Sequence, residues 1–355
     1  WIQSYRDLPV LINQWANVVR WEMRTRLFLR TSEFLWQEGH TAHSTPEEAE
    51  KETLDILELY RQLAEDYLAV PVYTGLKTDS EKFAGAEKTY CIEAMMGDKR
   101  ALQAGTSHNL GQNFAKAFDV TFQTHDNKEE LVWATSWGVS TRLIGAVILT
   151  HGDEKGLRLP PRIAPIQLVI VPITKNESQI NEVKVYLEPI TSALKSSEVR
   201  IHEDWTNNSP GFKYNEWEMK GVPLRMEVGP RDVKEKKVVL VRRDSKEKLF
   251  ISKDRVLENI QVLLEDIQEN LLSQARDFRD KNTHKVKDYT EFKEIIRQGG
   301  FVRCGWNGDS KIEAKIKEET KATIRCIPFN EDPEGLTCIM TGETAKHEAI
   351  FAKAY

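Results

Sequence analysis

The alternation of apolar and polar residues predicts two strands near the start of the chain, within residues 14–34. Side chains two positions apart share one face of a strand. With a hairpin loop around residues 24–26, one face of the pair carries Arg20, Glu22, Arg30 and Phe34. The opposite face of the first strand carries Val19, Trp21 and Met23, which we expect to pack in the core.

A long amphipathic helix is predicted next, in the stretch TPEEAEKETLDILELYRQLAEDYL. Thr45 is expected to cap its N-terminus, Pro46 suits the first helical position, and Glu48 closes a capping box. Strand-like segments follow around residues 89–95 and 99–105. The stretch VWATSWGVSTRLIGAVILT then predicts a strand, a break at Gly138, and an apolar helix, LIGAVIL, that is buried nearly all round.

Glycine and proline residues near Pro160–Pro165 mark the clearest domain boundary. Beyond it, IQLVIVPI predicts a buried strand of a parallel sheet. The stretches GVPLRMEVG and KKVVLVRRD predict later strands, and RVLENIQVLLEDIQENLLSQARDFRD predicts a long amphipathic helix. Because strands alternate with helices, residues 163–280 form a compact α/β unit. The chain is therefore expected to divide into residues 1–162, 163–280 and 281–355.

Composition favours a soluble globular protein, since the 355 residues are 40% hydrophobic and 30% charged. The longest apolar run, Leu143–Leu149, is too short to span a bilayer. Four scattered cysteines do not make a secreted disulfide framework, so we expect a cytoplasmic protein. The net charge of −5 argues against nonspecific binding to DNA but allows one local basic site for a polyanion.

The basic face of the predicted hairpin suits a nucleoside triphosphate. Guanidinium groups such as those of Arg20 and Arg30 bind phosphate through paired hydrogen bonds, and a ring such as that of Phe34 stacks on a base. The alternative is an arginine-rich sheet face whose charges are satisfied by nearby carboxylates. The spacing alone leaves both interpretations open.

Arg142 is a second candidate for binding phosphate. It lies four positions after Gly138, at the start of the apolar helix. Phosphate is stabilised at a helix N-terminus by free N–H groups and by the helix dipole. An arginine at the start of a buried helix needs a partner, because an unpaired buried charge is costly. The alternative partner is a carboxylate in the core.

These residues carry a family resemblance. The pattern Arg-x-Glu, loop, Arg-x-x-x-Phe in VVRWE…LRTSEF resembles motif 2 of class II aminoacyl-tRNA synthetases, and SWGVSTRLIG resembles their motif 3. The stretches FLRTSEFLWQEGHT, EKFAGA, QAGTSHNLGQNF, LPPRIAPIQ and KGVPLRMEVGPRD are similar to prolyl-tRNA synthetases of the archaeal and eukaryotic type. The bacterial type has an editing domain between motifs 2 and 3, and the interval from Phe34 to Arg142 contains no such insertion.

The resemblance implies a multidomain α/β and α+β protein. Its parts would be a class II catalytic domain on an antiparallel sheet at 1–162, without its N-terminal part, an α/β anticodon-binding domain at 163–280, and a small α+β zinc-binding-like domain at 281–355. The implied enzyme is a proline–tRNA ligase that uses ATP and Mg²⁺. It would convert L-proline to prolyl-adenylate and then transfer the prolyl group to the 3′ end of tRNA(Pro).

The resemblance also implies roles for single residues around the nucleotide. Arg20 and Arg142 would be catalytic, holding the α-phosphate and the terminal phosphates. Glu22 would contact the adenine side, Arg30 the γ-phosphate end, and Phe34 would stack on the adenine. The complete implied set of ATP-binding residues is Arg20, Glu22, Arg30, Thr31, Phe34, Gln103, Thr106 and Arg142.

A proline pocket and an anticodon site are implied in the same way. A secondary ammonium group requires a carboxylate, and a pyrrolidine ring requires aromatic walls. The implied proline-binding residues are Trp36, Glu38, His40, Phe83, His108 and Ser136. For the two histidines, a role as hydrogen-bonded core residues is the alternative. The candidates for anticodon binding are Phe212, Lys213, Glu218 and Arg231, whose alternative is an ordinary solvated surface.

The C-terminal region departs from the family's usual zinc site of four cysteines, spaced C-x4-C and C-x2-C. Here Cys304 is paired with Asp309 and Cys338 with Thr341. A structural zinc ion requires four ligands, mostly thiolate or imidazole, so we expect no bound metal. Cys326 is expected to lie in the core.

The two ends of the chain also bear on the resemblance. The family's motif 1, a helix and strand at the dimer interface, is not found ahead of Trp1. We expect the polypeptide Trp1–Tyr355 alone to be inactive and poorly stable, and the complete protein to be an active homodimer. The ending FAKAY matches the family's C-terminus, so Tyr355 is expected to help frame the active site. Two alternatives remain: a synthetase-like tRNA-binding protein without aminoacylation activity, and a ligase for another amino acid such as threonine.

Overall fold

The computed structural model describes the whole chain, Trp1–Tyr355. The contacts between residues group the chain into two compact units. The first contains residues 1–66, 70–149 and 277–355, and the second contains residues 67–69 and 150–276. No helix has the length and apolar character that crossing a membrane requires.

The first part of the chain forms eight strands and three helices. These are β1 (Val10–Val19), β2 (Glu33–His43), α1 (Pro46–Gln62), β3 (Val72–Leu76), β4 (Lys88–Met95), β5 (Ala101–Gly111), α2 (Asn113–Phe118), β6 (Thr121–Gln123), β7 (Glu129–Leu131), β8 (Trp133–Ser140) and α3 (Arg142–His151). The predicted strands around 89–95 and 99–105 and the predicted strand and helix around Gly138 are confirmed. The second of these strands, β5, extends six residues further than expected.

The rest of the chain forms nine strands and six helices. These are β9 (Leu168–Pro172), α4 (Glu177–Ser196), β10 (Ile201–Glu203), α5 (Pro210–Met219), β11 (Leu224–Val228), α6 (Pro230–Lys234), β12 (Lys237–Arg242), β13 (Lys248–Ser252), α7 (Val256–Lys281), β14 (Thr283–Lys285), α8 (Tyr289–Gln298), β15 (Phe301–Trp306), α9 (Ser310–Thr320), β16 (Thr323–Pro328) and β17 (His347–Ala352).

A ten-stranded sheet organises the first unit, in the order β1-β2-β8-β5-β4-β3-β16-β17-β15-β14. The strands from β1 to β3 pair antiparallel throughout. The sheet continues across β16, which pairs with β3 through Ile327 and Pro328. Fully buried Phe292, Phe301 and Phe351 fill the core at the C-terminal end of this sheet, and Cys326 is buried there as expected. The antiparallel sheet and the mixed α/β class are both confirmed.

The second unit is an α/β layer structure on a five-stranded sheet of order β10-β9-β11-β12-β13. Strands β10, β9 and β11 are parallel, whereas β12 and β13 join antiparallel. Every residue of β9 is buried, as the apolar run IQLVIVPI predicts for a parallel strand. Helices α4 and α7 pack their apolar residues on one face of this sheet.

The N-terminal hairpin differs from the prediction in where its strands end. Strand β1 stops at Val19. Beyond it, the two arms are joined by a hydrogen bond from the amide N of Arg20 to the carbonyl O of Ser32 at 2.8 Å and by an isolated antiparallel bridge between Arg26 and Arg30. Val19, Trp21 and Met23 were expected in the core, but each is at least 75% exposed. The physical reason is that β1 is the edge strand of the sheet and residues 20–32 leave it, so alternation no longer directs a side chain inward.

The first long helix begins where the sequence indicates, with one difference in its cap. The Thr45 hydroxyl accepts a hydrogen bond from the amide of Glu48 at 3.2 Å, as an N-cap does. The Glu48 carboxylate does not close a capping box, because it accepts from the backbone and the hydroxyl of Ser44 instead. Helix α3 is also less buried than expected, since Ile144 and Leu149 are partly exposed.

Candidate active site

Three neighbouring strands, β2, β8 and β5, form the floor of the candidate site. Their register aligns residues in rows across the sheet. One row contains Glu38, Gly138 and Thr106, and the next contains His40, Ser136 and His108. The register thus brings together residues that lie up to about 100 positions apart along the chain.

Alternation within β2 separates a core face from a cavity face. Gln37, Thr41 and His43 are buried, and the Tyr60 hydroxyl of α1 donates to Gln37 Oε1 at 2.7 Å. Phe34, Trp36 and Glu38 lie on the other face and line the cavity. Because one face of the strand is covered by a helix, the opposite face is left to form a site.

Two backbone features shape the floor further. The pairing of β4 with β5 shifts register between Ile92 and Glu93, which puts a bulge at Ala104 and lets Gln103 and Thr106 line the same cavity. A Cβ atom at Gly138 would come within 3.8 Å of the Trp36 ring and 3.1 Å of the Gln37 carbonyl O. A side chain at position 138 would therefore fill the space above the floor.

The resulting cavity has a volume of about 330 Å³. Most of the residues that the sequence nominated for ATP and proline line it: Arg20, Thr31, Phe34, Trp36, Glu38, Phe83, Gln103, Thr106, His108, Ser136 and Arg142. Three nominated residues, Glu22, Arg30 and His40, do not.

The cavity also has lining residues that the sequence did not indicate. These are Phe28, Leu29, Ala104, Gly105, Trp137, Gly138, Val139 and Ser140. Leu29 contributes through its backbone, since its carbonyl accepts from Arg142, and such a contact leaves no pattern in the sequence. The seryl residue Ser140 had a usable signal, because it lies two positions after Gly138 on the same face of β8.

Arg20 and Phe34 lie on the same side of the cavity, with the guanidinium carbon 4.9 Å from the ring centroid. Arg142, the first residue of α3, donates from Nε to the Leu29 carbonyl and from Nη1 to the Gln103 carbonyl, both at 3.1 Å. These two bonds hold residues 20–32 against β5. The three side chains that the nucleotide hypothesis requires therefore converge.

No carboxylate lies within ion-pairing distance of Arg142, and the buried Glu93 carboxylate, which is paired with Lys77 and Arg325, offsets its charge only from further away. Burial lowers the pKa of Arg142, and the neighbouring charge of Arg20 lowers it further. Both effects disfavour the charged guanidinium, so an anion bound between Arg20 and Arg142 would be stabilised.

Glu22 and Arg30 form an ion pair with each other, with 2.9 Å between Arg30 Nε and Glu22 Oε2. Arg30 lines a second cavity of about 420 Å³ that shares Arg20 and Arg142 with the first. The other members of this basic cavity include Arg24, Arg26, Arg100, Arg325 and Tyr355. The ring of Tyr355 lies 5.4 Å from the Arg26 guanidinium, and its hydroxyl donates to Asp98.

An apolar and aromatic compartment adjoins the arginines, around Glu38. The Glu38 carboxylate accepts from Gln14 at 2.8 Å and lies 3.1 Å from His40, which is half exposed and outside the cavity lining. The Trp36 indole packs edge-on against Phe34 at 5.7 Å, and its Nε1–H is buried without a hydrogen-bond partner. An acceptor on a ligand could satisfy that donor.

His108 closes this compartment as a neutral residue. Burial lowers the pKa of its imidazole to about 4. Its Nδ1 lies 2.9 Å from the Thr89 hydroxyl, and the Phe83 ring packs on it with 5.1 Å between centroids. The compartment therefore combines one carboxylate with aromatic walls.

Comparison with known proteins agrees with this geometry. The family model for the class II tRNA synthetase core domain (G, H, P, S and T) matches residues 1–151, that for the anticodon-binding domain matches residues 167–263, and that for the prolyl-tRNA synthetase C-terminal domain matches residues 289–355. Together the three models cover most of the chain.

Named relatives point the same way. A proline–tRNA ligase of Flavobacterium johnsoniae is 52% identical over 357 residues, covering all of this chain and 73% of the relative. Proline–tRNA ligases of Bacteroides fragilis and Symbiobacterium thermophilum are 55% and 54% identical, again over the whole chain and over 72% and 74% of their own lengths. The chain belongs to the prolyl-tRNA synthetase family. The recognition made from motifs 2 and 3 is thereby confirmed.

Two of the residues at the expected zinc position, Asp309 and Thr341, make hydrogen bonds within the protein instead. The Asp309 carboxylate caps α9 by accepting from the amide of Lys311 at 2.8 Å, and Thr341 donates to Glu343. Burial raises the pKa of the Cys304 thiol, whereas at Cys338 burial is outweighed by hydrogen bonds that lower the pKa of its thiol, so only one of the two cysteines favours the thiolate that zinc requires. No group of three or more His, Cys, Asp or Glu residues is arranged to hold a metal ion. These donors do not fit a structural zinc site.

The nominated anticodon residues of this prolyl-tRNA synthetase differ in accessibility. Phe212 near the start of α5 and Arg231 in α6 are exposed, and Arg231 pairs only with Glu235. Lys213 is buried, and its ammonium group donates to the Asp204 carbonyl at 2.8 Å. Glu218 pairs with Arg225 at 3.2 Å. Arg225, which was not among the candidates from the sequence, is thus the ion-pair partner of one of them.

Proposed function

We propose that the chain is a proline–tRNA ligase, which activates L-proline with ATP to give prolyl-adenylate and pyrophosphate and then transfers the prolyl group to the 3′ end of tRNA(Pro). The single observation that carries the proposal is the convergence of Arg20, Phe34 and Arg142 on one cavity beside the Glu38 compartment. One end of the cavity is cationic and the other is aromatic with one carboxylate. That division matches a nucleotide phosphate joined to a small cyclic amino acid.

On the nucleotide side, Arg20 binds the α-phosphate and Arg142 the terminal phosphates. Phe34 stacks on the adenine, and its contact with Arg20 keeps the ring and the charge together. Arg30, in the adjoining basic cavity, remains the proposed contact at the γ-phosphate end. Its ion-pair partner Glu22 remains the proposed contact on the adenine side. Thr31, Gln103 and Thr106 supply further polar contacts from the cavity wall.

On the amino-acid side, Glu38 binds the secondary ammonium group of proline. Trp36, Phe83 and His108 form the walls around the pyrrolidine ring, and Ser136 lies in the floor. Because His108 is neutral, it adds no charge that would repel the ammonium group. His40 acts from outside, through its contact with the Glu38 carboxylate.

No side chain acts as a nucleophile in the proposed mechanism. The carboxylate of proline attacks the α-phosphorus, and the pyrophosphate leaves with the charge that Arg142 and the basic cavity stabilise. Arg20 stabilises the charge that develops on the α-phosphate. Mg²⁺ would supply further charge neutralisation when bound, and Gln103 in the basic cavity is a neutral residue whose side-chain oxygen could help to hold it together with the phosphate oxygens.

The second unit is proposed to bind the anticodon. Single-stranded bases are recognised by stacking on aromatic rings and by hydrogen bonds to their edges. Exposed Phe212 and Arg231 are available for such contacts, and Glu218 can accept from a base edge. Lys213 is held by Asp204, so we expect it to fix the start of α5 beside the bound base.

Two further features of the proposal concern assembly and compartment. The edge strand β1 exposes Leu11, Trp15 and Val19, an apolar strip that supports a homodimer. We propose a cytoplasmic location, where aminoacylation supplies protein synthesis.

The test is amino-acid-dependent exchange of pyrophosphate into ATP, measured on the full-length protein. We expect rapid exchange with proline, slower exchange with alanine and cysteine, and none with threonine. Cysteine serves as the stringent comparison, because a pocket for a small ring rejects a side chain of similar volume only about 100-fold. Exchange with none of the four would contradict the ligase and favour a tRNA-binding protein, and preference for threonine would contradict the substrate.

A further inference from the structure

Phe83, one wall of the amino-acid compartment, lies on the segment 77–87 between β3 and β4, and not on the floor of the sheet. Its ring packs on His108 at 5.1 Å and on Phe114 at 6.3 Å. Its amide donates to the Thr89 hydroxyl at 3.1 Å, and that hydroxyl also contacts His108. The position of the segment therefore sets the width of the compartment.

Helix α9 of the C-terminal region holds the same segment from the other side. Glu313 is only 3% exposed, and its Oε1 accepts a hydrogen bond from the Thr78 hydroxyl at 2.9 Å. The second oxygen, Oε2, is buried and makes no hydrogen bond of good geometry, although the Ser80 side chain of the same segment lies close enough to act on the carboxyl group. Burial raises the pKa of this carboxyl group.

A buried carboxyl group in this position is costly, because a polar group taken out of water needs a full set of partners. An apolar residue on the inward face of α9 would pack without that cost. Unlike an apolar residue, Glu313 accepts a hydrogen bond from Thr78, at the start of the turn that leads to Phe83. The Thr78 carbonyl in turn accepts from the amides of Glu81 and Lys82, at 3.1 and 2.9 Å.

A second contact joins α9 to the segment one helical turn further on. The ammonium group of Lys317 lies 3.0 Å from the Glu81 carboxylate. Residues four apart share one face of a helix, so Glu313 and Lys317 face the segment together. The first contact holds Thr78, where the turn begins. The second holds Glu81, which is two positions before Phe83.

We propose that Glu313 and Lys317 are positioning residues for Phe83, through which the C-terminal region sets the affinity of the compartment for proline. The inference rests on the proposed function, since it concerns the amino-acid substrate of that site. Without the Glu313 bond, the segment shifts and the aromatic wall moves away from the pyrrolidine ring. The phosphate side of the cavity is untouched, because Arg20 and Arg142 make no contact with α9.

The test compares Glu313→Ala with Glu313→Gln in pyrophosphate exchange. Glutamine keeps an oxygen that accepts from Thr78, so we expect Glu313→Gln to stay within about twofold of the wild type. Glu313→Ala should raise the KM for proline about tenfold, which corresponds to about 1.4 kcal/mol, and change the KM for ATP and kcat less than twofold. Glu318→Ala, an exposed position on the same helix, is the matched control.

Lys317→Ala supplies an independent variant at an exposed position, should Glu313→Ala fail to fold. Lys317→Ala should also raise the KM for proline, by a smaller factor than Glu313→Ala. A folded Glu313→Ala or Lys317→Ala protein with an unchanged KM for proline would overturn the inference, as would an equal change in both KM values. Exchange with proline in the wild type is measured first, because its absence would refute the proposed function and not this inference.

Discussion

At the scale of single residues, the site depends on positive charges that the protein does not neutralise. Arg142 is bonded to two carbonyl groups and repelled by Arg20, whereas Arg30 is paired with Glu22. The sequence nominated all four residues but could not distinguish these states. The distinction arises because residues 20–32 leave the sheet, and their side-chain directions follow from the turn rather than from alternation.

Arg142 therefore gives the sharpest prediction at this scale. Arg142→Ala should reduce the rate of pyrophosphate exchange by about 100-fold or more, since a lost donor to a developing charge has an effect of that order. Arg142→Lys should restore little, because the three donors of an ammonium group share one nitrogen and lack the planar spread with which the guanidinium reaches the Leu29 carbonyl, the Gln103 carbonyl and a phosphate.

The control for this prediction is Arg297→Ala, which removes an exposed arginine that is paired with Glu294. It should leave exchange unchanged. If Arg142→Ala disturbs folding, Arg20→Ala removes the neighbouring charge without removing the carbonyl bonds and should show a comparable loss. Exchange within threefold of the wild type in both folded variants would contradict the proposed roles.

At the scale of elements, the sequence predicted regular strands and helices better than their ends. Strand β9 was predictable because both of its faces are covered, whereas the second strand predicted within residues 14–34 overlaps β2 only at Glu33 and Phe34. The end of β1 was not, because an edge strand exposes apolar residues such as Trp15 and Val19 that look like core residues in the sequence. The bulge at Ala104 was also invisible, since it depends on pairing with β4.

Helix α3 carries a pH-dependent contribution to stability at its last residue, His151. The imidazole is buried, its Nε2–H donates to the Leu68 carbonyl at 3.0 Å, and burial lowers its pKa to about 4 from an ordinary value of 6.5. The unfolded chain binds the proton more readily than the folded one. The free energy of unfolding should therefore fall as pH drops from 6.5 towards 4, by on the order of 3 kcal/mol from this group.

Urea unfolding of His151→Gln at several pH values checks this expectation. The amide of glutamine does not titrate, so the variant should lose less stability than the wild type between pH 6.5 and 4. The matched variant His125→Gln, at an exposed histidine, should follow the wild-type profile. Parallel pH profiles for the wild type and His151→Gln would show that the buried imidazole makes no such contribution.

At the scale of the whole molecule, the sequence indicated the family and the kinds of domain. It did not indicate that one sheet contains strands from both the first part and the C-terminal part of the chain. The ten-stranded sheet continues from β3 into β16, although more than 240 positions separate these strands. A buried network crosses that joint, in which the Glu93 carboxylate binds Lys77 at 2.7 Å and Arg325 at 3.0 Å. Pairings over such distances leave no local pattern, so Arg325 beside the basic cavity could not be foreseen.

The same limit explains why the sequence analysis assigns no role to residues 310–320, which form α9. Glu313 contacts Thr78 across 235 positions, and no motif marks either residue. By contrast, Arg20, Phe34 and Arg142 were found because phosphate binding imposes a recognisable set of residue types on short stretches. Sequence patterns thus identify binding residues that lie on short stretches, but they miss contacts between residues that are far apart along the chain.

The convergence of Arg20, Phe34 and Arg142 on one nucleotide is tested most directly by a crystal structure of the protein with a non-hydrolysable prolyl-adenylate analogue. We predict the adenine on the Phe34 ring, the linking phosphate-like group between Arg20 and Arg142, and the pyrrolidine ring between Trp36 and Phe83 with its ammonium group at Glu38. An analogue bound elsewhere, or one whose phosphate-like group lies away from both arginines, would contradict the nucleotide site and the ligase assignment together.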